Sequence, residues 1–208
     1  LLIDDAPVES VVVPTKIDGL FLAPATTDLS SADIELVSNE KRSFLLHDAL
    51  RAPGIDPYEL DYILIDCPPS LNMLTVNGLV AADGVIIPMQ CEYYALEGLS
   101  ALVNTISRIS SVLNPSLQIE GLLRTMYDPR NSLTLDVSAQ LSVHFGDKLY
   151  QTVIPRNVRL AEAPSFGMPA LAYDKQSRGA VAYLALAGEV VRRSKQAAKA
   201  AAVTDLND

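Results

Sequence analysis

From about residue 20 onward, short continuous apolar runs alternate with longer stretches in which apolar residues recur every three or four positions. The first pattern reads as strands buried on both faces, the second as amphipathic helices. Residues 19–24 are predicted to be a short buried strand. Residues 31–50 are predicted to be a helix, with Ser30 or Ser31 as its cap and Asp33 and Glu35 in its first turn. Strands follow at 62–66, 84–88, 119–125 and 149–154. Between and after them lie helices at 95–113, stopped by Asn114-Pro115, at 133–145, closed by Gly146, and at 177–201. The expected architecture is α/β: a doubly wound, mostly parallel sheet with helices on both faces, one domain over 1–208, ending in a basic to polar helix end and tail at 192–208. Ligands on such sheets sit at the carboxyl ends of the strands.

Charge changes this picture in one place. The 208 residues carry a net charge of −9, which disfavours a general nucleic-acid binder. Residues 1–150 account for −12, however, and residues 151–208 for +3. Two cysteines, Cys67 and Cys91, suit neither a disulfide framework nor a zinc site, and both are expected to be buried, reduced thiols. His47 and His144 have no carboxylate at ligand spacing and are expected at surface or packing positions. Tyr93-Tyr94 reads as packing or dimer contact rather than base stacking. No apolar run approaches the roughly 18 residues of a membrane span, and no charged-then-apolar leader is read at the start. The chain opens on Leu1 rather than Met, which is expected of a processed product or a piece of something longer.

The sharpest chemical signal is Asp66, a carboxylate at the end of the apolar run Tyr62-Ile63-Leu64-Ile65. A buried aspartate there needs a positive or hydrogen-bonding partner, such as a Mg²⁺ ion or a water of its shell. The alternative is that Asp66 caps the segment after it. Pro68-Pro69-Ser70 then forces an extended turn that a plain strand-to-helix connection does not need.

DYILIDCPPS at 61–70 resembles the Walker B segment of ParA-type partition ATPases, of the deviant-Walker P-loop family that includes MinD-like proteins. QCEYYALEGL at 90–99, LRTMYDPR at 123–130, VIPRNVRLAEAPSFGMP at 153–169 and YDKQSRGAVAYLALAGEV at 173–190 resemble further stretches of its chromosomal, Soj-like branch, in order and with compatible spacing. The family's phosphate loop, KGGVGKTT, has no counterpart: no G-x-x-x-x-G-K-[ST] occurs, and none of the ten glycines adjoins a lysine. The family's second-strand aspartate, which serves the attacking water, has none either. The resemblance thus implies a P-loop NTPase-like fold lacking its N-terminal strands, including a central one.

The resemblance also implies roles. Asp66 becomes the catalytic carboxylate and holds Mg²⁺, through water. The ATP base is held between Thr125-Met126 and Pro155-Arg156-Asn157, where a methionine and a proline-stiffened backbone suggest an apolar slot. Arg124 stands where the family has an apolar residue. Arg159, Arg192, Arg193 and Lys195 become contacts to non-specific double-stranded DNA, since phosphate contacts need only cations on a shared surface. Arg192, Lys195 and Lys199 share one helical face, and no acid lies between Val190 and Thr204. The opposite stripe, Val181, Leu184, Gly188 and Val191, is expected to pack on the sheet. A basic helix end also simply complements the helix dipole.

The implied function is an ATP-dependent DNA-partitioning switch. It dimerises on ATP, binds nucleoid DNA and is stimulated to hydrolyse ATP by a ParB-type partner, in the bacterial cytoplasm and on the nucleoid rather than on membrane. The alternatives are a MinD-like membrane switch, for which the 200–204 end supplies almost no bulky apolar residues, and an inactive, non-enzymatic remnant. An iron–sulfur relative is disfavoured by the cysteine count.

Overall fold

Local hydrogen bonding decides which of the apolar runs become regular structure. The computed structural model describes residues 1–68 and 70–204; Pro69, expected in the turn after Asp66, and the 205–208 tail lie outside the described residues. The helices are α1 (Val8–Val11), α2 (Ala32–Glu35), α3 (Leu45–Leu50), α4 (Met73–Ala81), α5 (Ala95–Val112), α6 (Ser132–Phe145), α7 (Val158–Glu162), α8 (Ala170–Tyr173) and α9 (Arg178–Thr204). The strands are β1 (Val13–Pro14), β2 (Phe21–Leu22), β3 (Gly84–Gln90) and β4 (Gln118–Thr125). They fall into two compact units, Leu1–Val85 with Val103–Gln118, and Ile86–Leu102 with the residues from Ile119 onward.

In the first unit, the run at 19–24 forms an antiparallel hairpin instead of a buried strand. Val13 pairs with Leu22 and Pro14 with Phe21, and Leu20 and Leu22 are exposed. The turn needs Gly19 at φ +72, a conformation that costs a residue without Cβ nothing. The helix expected over 31–50 is broken. The Asn39 carboxamide accepts from the Lys41 N–H and Arg42 Nη1 donates to the Val37 carbonyl, so side chains take backbone groups a helix would have used. The second half is tied to α4 by the fully buried Asn77, which accepts from Leu46 N–H and donates to the Arg42 and Met73 carbonyls, and the first half by Asp33, whose carboxylate accepts from Met73 N–H. Helix α4 was not legible in the sequence. Its cap is Asn72, whose Oδ1 accepts from Thr75 N–H.

The strand predicted at 62–66 is absent. These residues form no ladder with any described residue, and Tyr62, Ile63 and Leu64 are exposed, Leu64 at 88%. An extended apolar segment becomes a strand only when another chain segment takes up its N–H and C=O groups.

The second unit follows its pattern more closely. β3 and β4 pair, and residues 149–155 run parallel beside β4 through the bridges Leu122–Leu149 and Tyr127–Pro155. Tyr150 N–H donates to Leu122 O and Ile154 N–H to Arg124 O, but the bonds are too interrupted for a regular strand. Tyr150 crosses directly over Gly121, where a Cβ would fall 2.6 Å from the Lys148 carbonyl oxygen. Leu123, Tyr150 and Ile154 form the core, with Ile86, Leu160, Ala182, Leu186 and Val190 packed on it. Helix α9 therefore presents its 182/186/190 face to the core. The stripe expected there is turned outward: Val181 is 54%, Leu184 60% and Val191 37% exposed. Two apolar faces compete on this helix, and the winner also carries Glu189. That buried carboxylate accepts from the N–H groups of Gln151 and Thr152, each at 2.9 Å.

Candidate functional site

Two loops at the ends of neighbouring extended segments are brought side by side. Tyr127 N–H donates to Ile154 O at 3.0 Å and Arg156 N–H to Tyr127 O at 3.2 Å, so the 125–128 loop and the 154–157 loop are stitched side by side. Thr125 anchors the first loop: its hydroxyl donates to the Met89 carbonyl at 3.2 Å. Met126 follows with φ +51 and 42% exposure. A bulky residue in the left-handed region is strained and persists only where its surroundings hold it. Asn157 is a helix cap, its Oδ1 accepting from Arg159 N–H at 2.8 Å. Pro155 supplies the bridge to Tyr127.

The cavity beside these loops holds about 110 Å³ and is lined by Gln90, Cys91, Glu92, Met126, Asp128, Asn131, Thr134 and Arg156. It is below the roughly 300–1,000 Å³ of pockets that enclose a whole drug-sized ligand, so it suits one flat ring or its edge. Its lining is mainly polar, where an apolar slot was expected, and of the five expected residues only Met126 and Arg156 line it, with Thr125, Pro155 and Asn157 outside. Gln90, Asn131 and Thr134 were missed by sequence reasoning. Asn131 had a usable signal: it caps α6, with Oδ1 accepting from Leu133 N–H. Asp128 is gripped by Arg130 through Nε at 2.9 Å and Nη2 at 2.7 Å, and also accepts the Arg130 N–H. These bonds, with Arg156 nearby, hold its carboxyl down at about 2. Arg124 spans from β4 to α6, donating to Ser138 Oγ and the Tyr150 carbonyl at 2.8 Å each; its buried Nε has no partner among the described residues.

Asp66 differs from its expected setting. It was expected to be buried and is exposed, because no strand covers the segment that carries it. Among the described residues no group of three or more His, Cys, Asp or Glu side chains is arranged to hold a metal. An exposed carboxylate fits a cation that keeps its water shell better than direct ligation. Cys67 is likewise exposed, while Cys91 is buried as expected. Packing of the Cys67 sulfur, which sits where a Cβ on Gly78 would meet it at 2.7 Å, raises its thiol, and the Asp66 carboxylate raises it further.

The three arginines and the lysine expected on DNA are placed differently from one another. Arg192 and Lys195 are exposed on α9, with Lys199 on the same side. Arg159 is exposed but paired, 2.8 Å from Glu162 and 3.5 Å from Asp174. Arg193 is drawn into the fold. It donates to Asp147 O and Leu149 O, pairs with Glu189 at 2.9 Å, and lies 4.2 Å over the Tyr150 ring. Burial alone would raise the Glu189 carboxyl. The Thr152 and Gln151 N–H groups and the Arg193 guanidinium outweigh it and hold that carboxyl below its ordinary value.

The family model described as an AAA domain matches residues 1–119. The chain is 63% identical over 204 residues to an uncharacterized protein of Pseudomonas putida KT2440, covering 98% of this chain and 76% of that protein. It is 53% identical to the chromosome partitioning protein ParA of Caulobacter vibrioides NA1000, covering 97% and 75%. With the sporulation initiation inhibitor protein Soj of Bacillus subtilis the identity is 52%, covering 91% and 74%. Among solved structures, Mycobacterium smegmatis cobyrinic acid a,c-diamide synthase with bound ADP and magnesium superposes with a TM-score of 0.74 at 33% identity, covering 93% of this chain and 70% of that one. The Pyrococcus furiosus cell division ATPase MinD shares the fold, with a TM-score of 0.68 at 21% identity, covering 92% and 73%. The fold is thus the P-loop NTPase-like α/β architecture that the sequence implies. Identities near one half across nine-tenths of the chain, joined to the AAA match, make this chain a member of the ParA/Soj family of chromosome-partitioning ATPases.

Proposed function

We propose that the chain acts as, or within, an ATP-dependent partitioning switch. ATP closes a homodimer, the dimer binds duplex DNA without reading sequence, and a ParB-type partner stimulates hydrolysis and release. ATP supplies the phosphoryl group whose hydrolysis drives the cycle. This chain's part is to hold and orient. The stitched 125–128 and 154–157 loops, with Met126 strained at their centre, receive the base, and this juxtaposition is the observation that carries the reading. Gln90, Asn131 and Thr134 offer the polar groups a base edge needs. Asp66 serves Mg²⁺ through its water shell. The sequence has no phosphate loop of its own, so this chain alone does not orient a triphosphate for attack.

Support for DNA comes from the exposed face of α9, where Arg192 and Lys195 stand and no acid follows them up to Thr204. Arg159 joins them only by giving up its carboxylate partners, and Arg193 stays with the fold. A nucleotide titration followed by amide shifts tests the base site. ATP should move Met126, Tyr127 and Arg156, and GTP should move them less. Shifts spread evenly over the chain, or none, would refute the assignment.

A further inference from the structure

β4 enters the first base loop through Arg124, a part-buried cation that follows the buried Leu122 and Leu123. Its guanidinium meets three neighbours. Nη1 donates to Ser138 Oγ of α6 at 2.8 Å, and Nη2 donates to the Tyr150 carbonyl at 2.8 Å and the Gln151 carbonyl at 3.4 Å. The Tyr127 ring lies against it, with the ring centre 5.8 Å from Cζ. These partners are all neutral, whereas Arg193 in the same unit meets a carboxylate, Glu189. A cation drawn partly out of water without a counter-ion is costly, and so is the buried Nε, which has no acceptor among the described residues. Fold stability alone does not account for such an arginine.

The guanidinium fixes a plane. It is rigid and presents its donors as a fork, so the bonds to α6 and to the 150–151 carbonyls set its orientation, and the Tyr127 ring against it is set with it. Tyr127 follows Met126, whose φ of +51 persists only under restraint. Before Met126, the Thr125 hydroxyl is tied to the Met89 carbonyl. After it, Tyr127 is tied by its backbone to Ile154 and Arg156 and by its ring to Arg124. The charge is also felt at the cavity wall: burial raises the Cys91 thiol, and the Arg124 guanidinium works against that rise. We propose that Arg124 is the positioning residue of the base site, a platform for Tyr127 that keeps Met126 in its left-handed conformation and the cavity beside it open. The inference deepens the base-site reading and rests on it for the nucleotide, but not for the loop.

Arg124→Met keeps the stem and removes the guanidinium. Because a charge without a counter-ion goes with it, the urea midpoint should stay close to that of the wild-type chain. In the ligand-free 208-residue chain the amides of Met126, Tyr127 and Arg156 should move, and the apparent Kd for ATP, titrated by the same amides, should rise about tenfold. Tyr127→Leu takes away the ring and leaves the arginine. It should shift the Arg124 Nε–H resonance and weaken ATP binding as much, and the double variant should bind no worse than either single one, because both remove the same contact. A urea midpoint that collapses together with ATP affinity in Arg124→Met would make the arginine a structural residue and overturn the proposal. Loop amides unmoved by Arg124→Met, or losses that multiply in the double variant, would overturn it as well. Loop amides that move in Arg124→Met while ATP shifts nothing in the wild-type chain would sink the base-site reading and leave the hold of Arg124 on the loop standing.

Discussion

Asp128 and Arg130 are two residues apart on a loop, yet their bidentate contact and the Arg130 N–H bond pull the Asp128 carboxyl to about 2. The unfolded value is about 3.9, so this group favours the folded state above that pH, and the contribution fades as pH falls through about 2. NMR titration of the Asp128 carboxyl carbon should give a midpoint near 2, moving up toward the unfolded value in Arg130→Ala; a midpoint unmoved by the substitution would assign the depression elsewhere. Arg193 poses the opposite problem, a charge used inside the fold. Removing it leaves Glu189, which is 5% exposed, with the Gln151 and Thr152 N–H groups but without its ion-pair partner. Arg193→Ala should therefore cost about 3 kcal/mol in urea unfolding, whereas Arg192→Ala, one residue earlier and exposed, should cost under about 0.5 kcal/mol. Equal losses would remove the distinction between the two arginines. Sequence spacing put both on one basic helix end. It could not reveal that Asp147 O, Leu149 O and the Tyr150 ring wait beside only one of them.

At the scale of elements, α9 carries two apolar stripes and the core takes one. Leu186 packs on the Leu123–Tyr150–Ile154 core, while Leu184 is 60% exposed. Leu186→Ala should cost about 2 kcal/mol and Leu184→Ala less than about 0.5 kcal/mol, measured by chemical denaturation. The reverse order would restore the face expected from the sequence. The helices at 95–113, 133–145 and 177–201 were legible to within three residues because their punctuation is local: Asn114-Pro115, Gly146, and an uninterrupted helical period. The broken helix at 31–50 was not, because Asn39 and Arg42 divert backbone groups by side-chain bonds that periodicity does not register. The pairing of the 125–128 and 154–157 loops was reached through the resemblance of TMYD and VIPRN to a known family, not through spacing.

For the whole molecule the expectations concern phosphate and DNA. Purified 208-residue chain should release no phosphate from ATP above background, because no glycine-rich loop with a lysine cradles the phosphates. Steady release abolished by Asp66→Ala would overturn this. On duplex DNA, the salt dependence of log affinity should flatten by about 1.8 in Arg192→Glu/Lys195→Glu, two contacts at roughly 0.9 each, and equally so on unrelated sequences. The same slope in wild type and variant would leave the α9 end as ordinary dipole chemistry. Among the described residues no helix is long and apolar enough to cross a membrane.

By itself the sequence determined the α/β class, the positions of β3, β4 and the long helices, and the family. Each of these is written in local period, turn chemistry or contiguous motif. Only the tertiary structure decided what a neighbour does. It left 62–64 extended and exposed with Asp66 and Cys67 exposed just beyond, turned Val181 and Leu184 to solvent, drew Arg193 inward, and lined the cavity beside Met126 with Gln90, Asn131 and Thr134. An apolar pattern states that a face can be buried. Whether it is depends on which other segment supplies hydrogen bonds and packing there, and that is a property of pairs of segments rather than of either one alone.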